Sequence, residues 1–133
     1  MSLVAKLVGL LLPAVALSFS APASAQKGTI KIAVQAPLSG EQAAIGESIK
    51  LGVQLAVEES VKSFKALGYD MVLVPYDDQA KPEVGVANAR NIIADPNISV
   101  LVGHFNSGVA LPASEVYKDA MLVMISPAFI RMR

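Results

Sequence analysis

Ser99-Val-Leu-Val-Gly103-His-Phe-Asn-Ser-Gly108 is a short apolar run that stops at a glycine, passes through a polar loop and enters a helical pattern reaching about Lys118. A buried strand delivered directly into a helix is the repeating unit of an α/β domain. The same unit stands on both sides. Upstream, Met71-Val-Leu-Val-Pro-Tyr76 reads as a strand, followed by the polar turn Asp77-Asp-Gln-Ala-Lys-Pro82 and a helix to about Ala94, whose first turn suits Pro82 and Glu83. Pro75 removes one ladder donor and favours an outer place for that strand. Further upstream, Gly28-Thr-Ile-Lys-Ile-Ala-Val-Gln35 reads as the first strand. Ile45, Ile49, Val53, Ala56, Val57, Val61 and Phe64 then make one apolar stripe on a helix from Gly46 to about Leu67, with Gly68 at the C-cap. Downstream, Met121 to Ile125 starts a fourth strand. The order βαβαβαβ with short connections predicts a parallel, doubly wound, Rossmann-like sheet with right-handed crossovers.

The first 25 residues read differently. Met1 to Lys6 is a short basic start, Leu7 to Leu17 is apolar, and Ala23-Ser-Ala25 is a small-x-small ending, the three parts of a secretory leader cleaved to leave Gln26. The apolar run is too short to span a bilayer, and no later stretch is long enough. Residues 26–133 are then expected as one exported unit, in the periplasm or outside the cell. Lys and Arg total 11, as do Asp and Glu, so no charged surface for nucleic acid or an anionic membrane is indicated. The absence of cysteine removes disulfides and thiolate chemistry.

In a doubly wound sheet the ligand crevice opens at the carboxyl ends of the strands. Two loops fall there. In Gly103-His-Phe-Asn-Ser-Gly108 the backbone N–H groups and the Ser107 hydroxyl face the positive end of a helix, which suits a carboxylate or phosphate. The same geometry is also that of a plain N-cap, with Ser107 satisfying the helix. Leu38-Ser39-Gly40 holds the equivalent place after the first strand. Neither loop has the glycine spacing of a dinucleotide fingerprint or the lysine of a phosphate loop, so no cofactor is expected. Asp77-Asp78, read without a nearby histidine or third acid, caps the following helix and solvates the turn. His104 is the only histidine, so neither a histidine metal cluster nor a Ser-His-Asp relay can be assembled from the chain. It remains available to hydrogen-bond a ligand, or to serve the loop structurally.

Taken together, Ile30-Lys-Ile-Ala-Val with Leu38-Ser39-Gly40, Tyr76-Asp77-Asp78 with Pro82, Ala87-Asn-Ala-Arg90, Val102-Gly-His104, Pro112-Ala-Ser114, Tyr117 and Ile125-Ser-Pro-Ala128 resemble, in order and spacing, the periplasmic leucine/isoleucine/valine-binding proteins of ABC importers. The similarity spans Thr29 to Ala128. It implies the first part of lobe one of a type I periplasmic binding protein, in which two α/β lobes close on a free amino acid and hand it to a membrane permease. It further implies that Ser107 and main-chain groups at Ala128 hold the ligand carboxylate. Ser39 and His104 are further ligand-binding candidates from their place on the carboxyl edge alone, where Ser39 either lines the crevice or simply forms a turn. Ile130 stands where the family usually has threonine, and Phe129 to Arg133 does not resemble the family.

The fourth strand begins only a few residues before Arg133, so the chain reads as truncated. Alone, it is expected not to bind free leucine, isoleucine or valine at micromolar levels. Two other readings keep the fold. One is the sensory module of a receptor, which a downstream transmembrane and signalling segment would mark. The other is an exported flavodoxin-like enzyme, for which the sequence supplies no catalytic cluster and no phosphate loop.

Overall fold

A computed structural model describes residues 26–128. The expected leader, its cleavage point after Ala25, and Phe129 to Arg133 with Ile130 lie outside the described residues. Among the described residues seven elements alternate. They are β1 (Gly28–Ala36), α1 (Ala43–Ala66), β2 (Tyr69–Asp77), α2 (Pro82–Ile93), β3 (Ile98–Val102), α3 (Ser107–Asp119) and β4 (Val123–Ile125). All pairings are parallel, in the order β2-β1-β3-β4. The α/β parallel expectation holds, and so does the outer position inferred from Pro75, because among the described residues β2 pairs only with β1.

Boundaries moved where backbone pairing outran the apolar pattern. β2 stays in register with β1 from Tyr69 opposite Gly28 to Asp77 opposite Ala36, so Asp77 ends a strand and does not open a turn. A ladder bond needs only the peptide groups, so polar Asp70 and Asp77 are carried along. α1 starts at Ala43, ahead of the expected Gly46. β4 starts at Val123 because Met121 adopts a left-handed φ of 53° just after α3. Gly68 takes φ 90° after α1 and donates its N–H to the Lys65 carbonyl, the C-terminal stop read from the sequence.

The core lies on one face of the sheet. Ala33 of β1 and Ile98 and Leu101 of β3 pack against Ala89 and Ile92 of α2 and Ala113 and Tyr117 of α3. Ile32 and Val102, adjacent in sequence to Ala33 and Leu101, face the other way. On that second face α1 covers β1 and β2. A cavity of about 480 Å³ remains there, lined by Ile32, Met71 and Val102 of the sheet, Ile49 and Val53 of α1, and Pro127. The α1 stripe is therefore less buried than its spacing predicts. Of its seven apolar residues only Val57 is buried, and Ile45 is 44% exposed.

Candidate functional site

α1 lies on one face of the sheet and α2 with α3 on the other, and the strand order reverses between β1 and β3. That junction is the switch point at which such a sheet opens a crevice beyond its carboxyl ends. The β1–α1 loop (residues 37–42) and the β3–α3 loop (residues 103–106) flank it. They are joined directly, since the Asn106 side-chain amide donates to the Gln42 side-chain oxygen at 2.7 Å. On the β2 side, Asp77 gathers the first loop. It accepts from the Leu38 N–H at 2.9 Å, from the Ser39 hydroxyl and from the Gln79 N–H. Burial pushes the Asp77 carboxyl up, but these hydrogen bonds outweigh it and hold the group below its ordinary range. Ser39 borders a small depression of about 240 Å³ with Gly40, Gln42, Gln79 and Ala80.

The third loop is organised by its glycine. A Cβ on Gly103 would collide with the Gln35 carbonyl oxygen, so only glycine lets β3 leave the sheet this close to β1. The N-cap of α3 is Asn106, not Ser107, and it makes no side-chain cap bond because its amide is turned to Gln42. The first N–H groups of a helix have no acceptor within the helix. Here the Val109 N–H turns back to the Asn106 carbonyl at 3.0 Å, while those of Ser107 and Gly108 meet no acceptor among the described residues, and Ser107 is exposed at the first helical position. Positive dipole, free N–H groups and a hydroxyl thus converge at the sheet's carboxyl edge, an arrangement that can receive an anion. The plain N-cap role for Ser107 is not what the chain adopts.

Asp78 and His104 overturn another expectation. Read as a solvated turn residue with no histidine near, Asp78 is in fact fully buried, and its carboxylate faces His104 Nδ1 at 3.3 Å. Nor does Asp77-Asp78 cap α2, whose N-cap is Lys81 without a side-chain bond. On the far side of the imidazole, Nε2 lies 3.3 Å from the Tyr117 hydroxyl, which donates to Gln35 Oε1 at 2.9 Å. Burial, and then the Asp78 charge, push the Tyr117 hydroxyl well above its ordinary range, so it remains a donor. The His104 ring is wholly buried, and both nitrogens are engaged inside the protein. The structure places it in the interior, in the structural role that the sequence left open beside a bond to ligand.

Ala128 follows β4. Its N–H lies 3.3 Å from the Ser126 hydroxyl, which donates to the Ala128 carbonyl at 2.7 Å. Ser126 Oγ also reaches the His104 carbonyl at 3.2 Å, so the end of β4 is fastened to the β3–α3 loop. Gln42, Asn106 and Ser126 were not singled out from the sequence. The one available signal was their position at strand or helix ends on the carboxyl edge.

Among the described residues no group of three His, Cys, Asp or Glu side chains could hold a metal ion. No described helix is long and apolar enough to cross a membrane.

A family model described as periplasmic binding protein matches residues 29–131, past the Ala128 limit of the resemblance and into the tail. The Leu/Ile/Val-binding protein homolog 2 of Brucella abortus (strain 2308) is 42% identical over 98 residues, 74% of this chain and 26% of that protein. A substrate-binding protein of an ABC transporter from Desulfitobacterium hafniense, solved in complex with Leu, superposes with a TM-score of 0.62 at 34% identity, over 75% of this chain and 29% of that one. The branched-chain amino acid transporter substrate-binding protein of Streptococcus pneumoniae, solved with isoleucine, gives a TM-score of 0.67 at 28% identity, over 77% and 30%. The chain spans between 26% and 32% of the length of the curated relatives it matches.

Proposed function

The chain belongs to the periplasmic binding protein family, and from that premise we propose that it supplies one wall of the amino-acid crevice in the substrate-binding component of an ABC importer. The observation that carries this reading is the open first turn of α3, where Asn106 is drawn away to Gln42 and Ser107 is left exposed. A branched-chain amino acid would place its carboxylate there, accepting from the Ser107 hydroxyl, the first N–H groups of α3 and the Ala128 N–H in place of its long bond to Ser126. Ser39 borders the same edge. Relatives named for binding leucine, isoleucine and valine support the choice of ligand. The ammonium and the ligand side chain fall to a second lobe, so residues 26–133 belong to the first of two. The protein binds without turnover and passes its ligand to a membrane permease.

Residues 1–25 act as the export leader in this reading. The exported protein is expected to begin at Gln26 by N-terminal sequencing, and an intact Met1 or Ser2 on the soluble product would refute the leader.

The binding test joins this chain in frame to the remaining part of a Leu/Ile/Val-binding relative and titrates leucine by calorimetry. Ser107→Ala is expected to weaken binding by about 1–3 kcal/mol, the scale of a lost charge-assisted hydrogen bond. Unchanged affinity removes Ser107 from the site, and no heat from any branched-chain amino acid rejects the reading as a whole.

A further inference from the structure

Beneath the crevice lie four polar side chains with almost no contact with solvent. Gln35, Asp78 and His104 are fully buried, and Tyr117 is 1% exposed. They come from four places, the end of β1, the β2–α2 loop, the β3–α3 loop and the last turn of α3. Burying such groups is costly unless each is hydrogen-bonded. Here Asp78 accepts from the Ala80 N–H at 2.9 Å and faces His104, His104 meets Tyr117, Tyr117 donates to Gln35, and Gln35 donates to the Gly85 carbonyl at 3.0 Å. Among the described residues no buried side-chain nitrogen or oxygen lacks a partner. A fully satisfied network of this kind rigidifies the elements it joins.

His104 stands at the centre of it. Its two ring nitrogens reach Asp78 and Tyr117, and its own carbonyl lies 3.2 Å from the Ser126 hydroxyl oxygen, which also lies within reach of both main-chain polar groups of Ala128. In the chain, His104 comes three residues before Ser107. One buried residue thus fastens both segments that carry the proposed carboxylate donors. We propose that His104 is a positioning residue: gripped by Asp78 and Tyr117, it fixes the Ser107 turn and the Ala128 turn relative to each other. This rests on the reading of that edge as the amino-acid site. An imidazole that merely fills the core would depend on its volume, whereas positioning depends on the hydrogen bonds at its nitrogens and carbonyl.

The test needs no ligand, which keeps its outcome separate from the calorimetry. In ¹⁵N-labelled full chain, the one histidine gives a single pair of ring nitrogen resonances. Tyr117→Phe keeps the ring stacked on His104 and deletes only the hydroxyl. It is expected to shift the Nε2 resonance and the amides of Phe105 to Gly108 and of Ser126 and Ala128. Exchange of the Gly103 and Val109 amides, which donate to Ile125 and Asn106, should quicken about tenfold, while β1 from Gly28 to Ile32 is unchanged. Changes confined to Gln35 and to α3 beyond Val109, or spread evenly over the chain, overturn the proposal. Ser126→Ala is a second arm that disturbs no core side chain. It should shift the Phe105 to Gly108 amides through the His104 carbonyl, and silence there also overturns the proposal, even if Tyr117→Phe fails to fold. Positioning intact with no leucine binding in the joined protein would sink the ligand reading alone.

Discussion

Asp77 is the carboxylate through which acid should reach this fold. Its pKa is lowered in the folded chain from an ordinary 3.8, because the bonds from Ser39, Gln79 and Leu38 exceed the cost of burial. A group depressed on folding contributes stability that is complete above its unfolded value and is lost as pH falls through the folded one. Asp95 is lowered too, chiefly by Lys31, whose ammonium lies 2.7 Å away, so it works in the same direction. Thermal melts between pH 6 and pH 2 should therefore show a fall setting in below about pH 4. Asp77→Asn should be less stable at pH 6 and should lose less on acidification, since the amide cannot titrate. Parallel melting curves for the two proteins across that range would show that Asp77 contributes nothing to acid sensitivity. Asp77 also shows the limit of reading residues singly. Composition marks it as a turn acid, yet its partners Leu38 and Ser39 lie on the neighbouring strand's loop and are brought near only by sheet pairing.

Among the elements, the α3–β4 junction carries an avoidable strain. Met121 follows the C-cap Ala120 with φ 53°, and its side chain is 90% exposed. An L-residue pays roughly 1–2 kcal/mol for that conformation, and glycine does not. Almost no packing would be lost, although glycine also loosens the unfolded chain by about 0.4–1 kcal/mol. Met121→Gly is expected to stabilise the protein by up to about 1 kcal/mol, read as a higher urea midpoint with unchanged slope. A lower midpoint would show that Met121 makes contacts that offset its backbone. The helix starts behave differently from the stops. Gln42, Lys81 and Asn106 hold the three N-cap positions, and none makes a side-chain cap bond. At α1 and α3 the two cap residues bond each other instead, trading local helix stability for a link across the crevice.

The two edges of the sheet contrast at the scale of the molecule. β2 carries Pro75 and the charged Asp70 and Asp77, devices that discourage further strand pairing. β4 carries none of them. Val123 is 59% exposed and Ile125 54%, on the same face as the cavity beside α1. Among the described residues β4 pairs only with β3, and uncovered apolar side chains next to such a strand edge are a route to association. The chain is expected to sediment as a concentration-dependent mixture, and Val123→Lys with Ile125→Lys should shift it toward monomer. A monodisperse wild-type monomer by analytical ultracentrifugation would show that this edge is closed in solution.

The sequence by itself determined the order of elements, the parallel α/β class, the outer place of β2 and the two loops at the carboxyl edge. Each of these is written locally, in apolar periods of two and of three to four, in glycine at a helix stop and in proline within a strand. Tertiary structure alone decided the strand order that sets the switch point between β1 and β3, which face of the sheet is left partly uncovered, and which polar groups meet. Asp78 and His104 are 26 residues apart, Gln42 and Asn106 64, and Gln35 and Tyr117 82. No local pattern encodes such pairs. They form only when parallel crossovers bring the strand ends side by side, and there the requirement that every buried polar group find a partner turned His104 inward and left Ser107 at the open end of its helix.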